Sequence, residues 1–245
     1  LGAEEVKDIH LSLVIPAYNE EPRIKNTLEC VYEFLSTQDY SYEVVLCNDG
    51  SDDTTGSIAQ SFLDKKPNFQ LLNLPHRGKG AAVKEGMLVA RGQNIFMCDA
   101  DLAMSLDQIN LFLAEMSKGF DIAIGSRELV ESRRFEEPRL RYFAGRVFNL
   151  FVKFIAIRKY RDTQCGFKCL SSKSARKIFP LLKTSGWAFD VEVLLLADRW
   201  GYSVSEIPID WHHGSDSKVK FGSAVFQMVK DIFLMRIRFL FSIWD

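Results

Sequence analysis

The 245 residues are enough for one large α/β domain with a sizeable core, and the 47% hydrophobic and 26% charged content is ordinary for a folded soluble protein. Thirty-one basic residues against 32 acidic ones give a net charge of -1, which excludes a global pull toward nucleic acid. No stretch reaches the roughly 18–20 uncharged apolar residues of a membrane-spanning helix.

The N-terminus, "LGAEEVKDIH", is charged and carries no signal peptide. It begins with Leu, so an anchor removed upstream remains open. From there strands and helices alternate. "LSLVIP" (11–16) is an apolar strand covered on both faces. Residues 23–37 place Ile24, Leu28, Val31 and Leu35 at helical spacing, with Pro22 near the start. "YEVVLCN" (42–48) is a second strand. Residues 52–65 open on capping residues, Asp52 and Asp53, and become helix. "FQLLNL" (69–74) is a third strand, and 78–91 enters a helix through glycines. "NIFMCD" (94–99) is a fourth strand, 105–118 a helix with Ser105 as its cap, and "FDIAIGS" (120–126) a fifth strand. This order implies an α/β fold with a mostly parallel sheet and right-handed crossovers.

Beyond residue 128 the pattern changes. Residues 139–161 carry seven basic residues and no acidic one, interleaved with Phe143, Val147, Phe148, Phe151 and Phe154. Such a helix suits a membrane interface, and also suits a core helix with snorkelling ends. The segment 221–245 repeats the theme, with Phe226, Val229, Phe233, Ile237 and Leu240 in a stripe beside Lys230, Arg236 and Arg238. Trp244 suits the headgroup level. The five cysteines (30, 47, 98, 165, 169) are scattered and read as free thiols in a reducing compartment.

In an open parallel sheet, ligands bind beyond the carboxyl ends of the strands. Each strand here runs into polar residues: Tyr18-Asn19-Glu20, Asn48-Asp49-Gly50-Ser51, His76-Arg77-Gly78-Lys79-Gly80, Asp99-Ala100-Asp101, and Gly125-Ser126-Arg127. Singly, "NDGS" is a turn signal and "GKG" a flexible loop without P-loop spacing. Their shared location points to a site. Two carboxylates at i, i+2 can hold Mg²⁺ or Mn²⁺, with diphosphate and water filling the shell.

"VIPAYNEE", "NDGSDDTT", "GKGAAVKEGM", "DAD" and "GSR", in this order, resemble a family 2 inverting glycosyltransferase of the GT-A type, a Rossmann-like fold. "RDTQCGFK" (161–168), "GWAFDVEVLLLA" (186–197), "EIPIDW" (206–211) and "KDIFLMRIRFL" (230–240) resemble its dolichyl-phosphate (polyprenyl-phosphate) β-glucosyltransferase branch. The resemblance runs from about residue 11 to 240 and implies one domain over 1–245. Its nucleotide-sugar half is 11–128, its acceptor half 129–220, and its amphipathic membrane-interface helix 221–245. It implies that Pro16, Ala17, Tyr18 and Glu20 frame the nucleotide and that Asp49 contacts uracil. Lys79 and Ala100 lie by the nucleotide, Asp99 by the ribose or metal, and Asp101 ligates the metal. Arg127 lies between donor and acceptor, and Asp162, Gln164, Trp187, Asp190 and Glu192 build the sugar and acceptor side.

The implied reaction transfers glucose from UDP-glucose to a polyprenyl monophosphate at Mg²⁺ or Mn²⁺, on the cytoplasmic face of a membrane. That membrane is the endoplasmic reticulum in a eukaryote and the plasma membrane in a prokaryote. No nucleic-acid partner is expected. A phosphate monoester is largely dianionic at neutral pH, its second pKa being about 6, so no isolated catalytic histidine is required. It needs neutralisation, for which Arg127, Arg141 and Lys218 are candidates. Asp162 and Asp190 are open as bases or as groups orienting the sugar, and Asp190 also suits the start of a helix. His212 and His213 are left out of the metal set. Relatives that make the mannose product often carry a polar residue where this chain has Ala103, so an alanine there resembles the glucosyl branch. A mannosyl or GlcNAc transferase, a non-catalytic binding module and a soluble nucleotidyltransferase are the alternatives.

Overall fold

The computed structural model describes residues 8–214 and 221–241. Strand β1 (Leu11–Ala17) is buried along its whole length, as its uninterrupted apolar run requires. Leu13 and Ile15 point to one face of the sheet and Val14 to the other, the two-residue alternation of a strand. On the first face lies α1 (Ile24–Ser36), which buries Ile24, Leu28, Val31 and Leu35, the four positions set by its helical spacing. On the second lie α3 (Lys79–Val89), through Ala82, Val83 and Met87, and α7 (Phe189–Arg199), through Val191, Val193 and Leu194. Full burial of each such side chain stabilises the fold by about 1.5–3 kcal/mol.

The central sheet has seven strands in the order β3-β2-β1-β4-β7-β5-β8. Its members are β1, β2 (Tyr42–Asn48), β3 (Phe69–Asn73), β4 (Asn94–Met97), β5 (Ile122–Ser126), β7 (Lys168–Ser171) and β8 (Val204–Pro208). Neighbours pair in parallel except that β7 runs against both β4 and β5. A second sheet pairs β6 (Arg133–Phe135) with β9 (Asp210–His212). Helix α2 (Thr55–Leu63) follows β2, α4 (Ile109–Ser117) precedes β5, and α6 (Ser172–Ile178) follows β7. The strand order turns back between β1 and β4, so their carboxyl ends flank a crevice.

Two expectations are corrected. Ser105 makes no capping bond to the backbone; its hydroxyl donates to Asp107, and a short 3₁₀ turn leads into α4. The basic helix α5 (Arg139–Ile155) stops six residues before 161. The chain then folds inward, burying Ile157 and Tyr160, and so delivers Asp162 to the crevice. The free thiols are as expected, and burial pushes Cys47 up to about 12 and Cys165 up to about 11, so both stay protonated and inert.

Helix α8 (Phe221–Leu240) docks through Ile232 and Met235, which are fully buried, and through an edge-on contact of Phe233 with Phe151 of α5 at 5.8 Å. The sequence stripe is largely its outward face: Phe226, Phe233, Ile237 and Leu240 are exposed. Beside it, α5 exposes Leu140, Phe143, Val147, Leu150 and Phe154. No described helix is long and apolar enough to cross a membrane.

Candidate active site

The loops at the strand ends are tied to one another. Asn19 adopts φ 53°, a left-handed conformation that asparagine tolerates, and its Oδ1 accepts the amide of Asp52. Its own amide reaches Ser51 Oγ, and the amide of Glu20 reaches Thr55 Oγ1. The motif after β1 is therefore locked onto the motif after β2. Asp53 accepts the amide of Thr55, the helix-start role expected of it. Gly50 sits at φ 65°, and a Cβ there would lie 2.6 Å from the His76 backbone nitrogen, so this turn needs glycine.

Asp49 is buried and fully engaged. Oδ1 accepts the amide of Arg77 at 2.9 Å, and Oδ2 accepts that of Gly78 at 2.9 Å and faces His76 Nδ1 at 2.9 Å. It lines the crevice and also holds the 76–78 loop in place. The His76 ring stacks on Tyr18 with centroids 4.0 Å apart.

The loop after β4 brings the carboxylates together. Lys79 Nζ lies 2.6 Å from Asp99 Oδ1. The other Asp99 oxygen packs so tightly that a Cβ on Gly166 would sit 2.5 Å from it. Asp101 is exposed to the crevice and accepts the amide of Ala103 at 3.2 Å. Between them Leu102 stands at φ 48°, a strained conformation for a branched residue. Loss of solvent, together with the Asp99 charge, pushes the Asp101 carboxyl above the usual carboxylate range. Burial opposes the Lys79 charge, but Asp99, Asp190 and Asp101 outweigh it and raise its pKa.

Across the cavity, Arg127 at the end of β5 donates from Nε and Nη2 to both oxygens of Asp162. Burial alone would raise Asp162, but Arg127 and four hydrogen bonds hold its carboxyl well below the usual range. Asp162 is thus a permanent anion that orients Arg127. Asp190, in the first turn of α7, is raised by burial, which Lys168 and Lys79 partly offset. Arg134, which the sequence did not single out, is held by Glu128, Glu137 and the Arg127 carbonyl.

One cavity of about 1210 Å³ joins these groups. Pro16, Ala17, Tyr18, Glu20, Asp49, Lys79, Asp99, Ala100, Asp101, Arg127, Asp162, Gln164, Trp187 and Asp190 all line it, as does His213. Its far end runs between α5 and α8, past Ala144, Gly145, Phe148, Phe151, Val225 and Met228. Glu192 is not in the wall: it is fully buried and accepts the amides of Lys183 and Thr184. Lys218 and the Arg141 side chain lie outside the described residues. Among the described residues, no group of three or more His, Cys, Asp and Glu could hold a metal by itself. The donor set still suits a hard cation, because Asp101 offers a crowded carboxylate to the cavity and Asp99 stands beside it.

The family model described as Glycosyl transferase family 2 matches residues 12–179. A dolichyl-phosphate beta-glucosyltransferase of Dictyostelium discoideum is 37% identical, over 98% of this chain and 77% of that one. One of Drosophila melanogaster is 36% identical, over 98% of this chain and 78% of that one. The glucosyl-3-phosphoglycerate synthase of Mycobacterium tuberculosis, solved with Mn²⁺, UDP-glucose and phosphoglyceric acid, shares the fold with a TM-score of 0.63. That likeness spans 93% of this chain and 80% of that one at 15% identity. With the strand-end loops, the cavity and these matches agreeing, the chain belongs to glycosyl transferase family 2 and is a glycosyltransferase.

Proposed function

We propose that this enzyme transfers glucose from UDP-glucose to a polyprenyl (dolichyl) monophosphate, inverting the anomeric carbon to give the β-linked product. The observation that carries this is the single cavity with two chemistries. At one end it has the carboxylates and Lys79 of a nucleotide-sugar site; at the other it has an apolar passage between two helices whose outer faces expose phenylalanines. A water-soluble acceptor has no use for that passage, whereas the first isoprene units of a lipid acceptor fit its character. The two relatives are named dolichyl-phosphate beta-glucosyltransferases, which agrees with the sugar and the acceptor proposed.

In the reaction, an oxygen of the acceptor phosphate attacks C1 of glucose. The C1–O bond to the diphosphate breaks on the opposite face, and UDP leaves with the bonding pair. The acceptor brings its own charge, so the protein positions and neutralises rather than deprotonates. Arg127 retains Nη1 for the phosphate while Asp162 fixes the rest of the fork. The Gln164 amide nitrogen, buried in the wall, has no partner among the described residues, which is the kind of donor a bound ligand satisfies. Asp99 and Asp101 would hold Mg²⁺ or Mn²⁺, which neutralises charge on the departing diphosphate when bound. The exposed faces of α5 and α8 would rest on the cytoplasmic surface of a membrane, where the acceptor phosphate lies.

The test is a panel of radiolabelled nucleotide sugars with dolichyl phosphate and Mn²⁺ or Mg²⁺. UDP-glucose is expected to give an organic-soluble product. A product from GDP-mannose or UDP-GlcNAc instead would replace the donor assignment, and none from any donor would overturn the dolichyl phosphate acceptor.

A further inference from the structure

Among the described residues Lys168 is the one lysine that is completely buried, and the transfer reaction as written above makes no use of it. It lies on β7, the antiparallel strand inserted into the parallel sheet, opposite Met97 of β4 and Ile124 of β5. Both of those neighbours belong to the core cluster that also contains α7, so Lys168 sits on the α7 side of the sheet. Its Nζ donates to the Cys165 carbonyl and, at 2.5 Å, to Asp190 Oδ1. Asp190 is itself almost wholly buried, yet it forms part of the cavity wall, and its Oδ2 accepts no hydrogen bond from the described residues.

Stability alone does not account for this pair. A buried Lys–Asp pair loses the hydration of two ions and regains about as much as a well-packed apolar pair would give. The placement has another consequence. Lys168 comes from inside the core and the cavity lies on the other side of the carboxylate, so the clamp fixes which oxygen faces the cavity. The carboxylate is also in the field of Lys79, the residue that holds Asp99. Lys168, Asp190, Lys79 and Asp99 thus alternate in charge from the core to the diphosphate end of the site.

We propose that Lys168 is a positioning residue for the donor sugar: it clamps one oxygen of Asp190 so that the other is presented to a sugar hydroxyl. The proposal rests on the reading of the cavity as a nucleotide-sugar site. It assigns to Lys168 no contact with the nucleotide, because Lys79 keeps its own bond to Asp99.

The test compares binding of UDP-glucose with binding of UDP by calorimetry in the presence of Mn²⁺, for the wild type, Lys168→Met, Asp190→Asn and the double variant. Lys168→Met is expected to weaken UDP-glucose about tenfold or more, the effect of misplacing a hydrogen bond to a charged group, and to leave UDP within about twofold. In the Asp190→Asn background the same substitution is expected to add nothing, since its effect passes through Asp190. Should Lys168→Met fail to fold, Lys168→Arg carries the test. It keeps the charge but pushes the carboxylate aside with a bulkier fork, so a smaller loss confined to UDP-glucose is expected. Equal losses for UDP and UDP-glucose, additive losses in the double variant, or no loss at all would overturn the proposal. If the wild type instead binds GDP-mannose and makes no glucolipid, the function reading fails, and the same comparison with GDP-mannose and GDP still decides the role of Lys168.

Discussion

Arg127 and Asp162 meet as a two-point ion pair, with Nε 2.7 Å from Oδ2 and Nη2 3.0 Å from Oδ1. The carboxylate is nearly inaccessible, and Glu206 anchors the backbone on which it sits by accepting the amides of Arg161 and Asp162. Removing one partner of such a pair strands the other's charge. Asp162→Ala is therefore expected to cost about 3–5 kcal/mol of stability, read from urea unfolding. Asp162→Asn keeps the shape but loses the second charged contact, and it should lower kcat/KM more than it lowers stability. Wild-type turnover in Asp162→Asn would remove Arg127 from the acceptor site.

The same carboxylates predict the pH dependence. Asp162 has its pKa lowered by folding. Its contribution is thus present above the unfolded value of about 3.9 and is lost only when pH falls through a much lower folded value. It does not titrate in the working range. Asp101 and Asp190 are raised, so folding favours their protonated forms, and they oppose stability as pH rises through and beyond about 3.9. The acid limb of kcat/KM is expected above that ordinary value. More Mn²⁺ should move the limb to lower pH, because the cation competes with the proton on Asp101. A limb that does not respond to Mn²⁺ would show that Asp101 is not a ligand.

Asp101 also separates function from fold. It is exposed to the cavity, and the one hydrogen bond it takes from the described residues is from the Ala103 amide. Asp101→Ala should leave the melting temperature within a few degrees while abolishing metal-dependent turnover and Mn²⁺ binding measured by electron paramagnetic resonance. Gly166→Ala approaches the same centre from behind: its methyl would press on Asp99 at 2.5 Å and displace it. A loss of about tenfold or more in donor affinity is expected, a fit that a misplaced charged group produces. Unchanged affinity would mean that Asp99 can shift without consequence.

How far the sequence revealed these features depended on whether their causes were local. Alternating strands and helices marked β1 to β5, and the polar residues after each strand marked the cavity wall, because open parallel sheets place their crevice at the carboxyl ends of the strands. The insertion of β7 was not legible. Four residues carry no usable period, and its Lys168 contradicts a core strand unless the distant Asp190 is already known to be its partner. Arg134 was missed although Glu128 and Glu137 are only six and three residues away, because no period marked the turn that folds them around it. Glu192 was placed in the site by its neighbours in "WAFDVE", yet helical spacing turns it away from Asp190, toward the amides of Lys183 and Thr184. The C-terminal stripe was read correctly as apolar, but sequence alone did not say that Ile232 and Met235 dock the helix and leave that stripe facing outward.

The outward apolar faces of α5 and α8 together give the last prediction. Phe143 and Phe154 on α5 are 65% and 73% exposed, and neither lines the cavity. Replacing both with serine should therefore leave the melting temperature and UDP binding unchanged. If the α5 and α8 faces rest on a bilayer, each ring contributes up to about 2 kcal/mol of transfer energy, so the double variant should bind vesicles more weakly by up to about 1000-fold. Arg139, Arg146 and Lys230 add attraction to anionic lipid of about 1 kcal/mol per charge near the surface, so wild-type binding should strengthen when anionic lipid is added to phosphatidylcholine and weaken with salt. Turnover with a membrane-embedded acceptor should fall with vesicle binding, while turnover with a short, detergent-dispersed acceptor should not. Equal vesicle binding by wild type and double variant would place the lipid-facing surface elsewhere on the molecule.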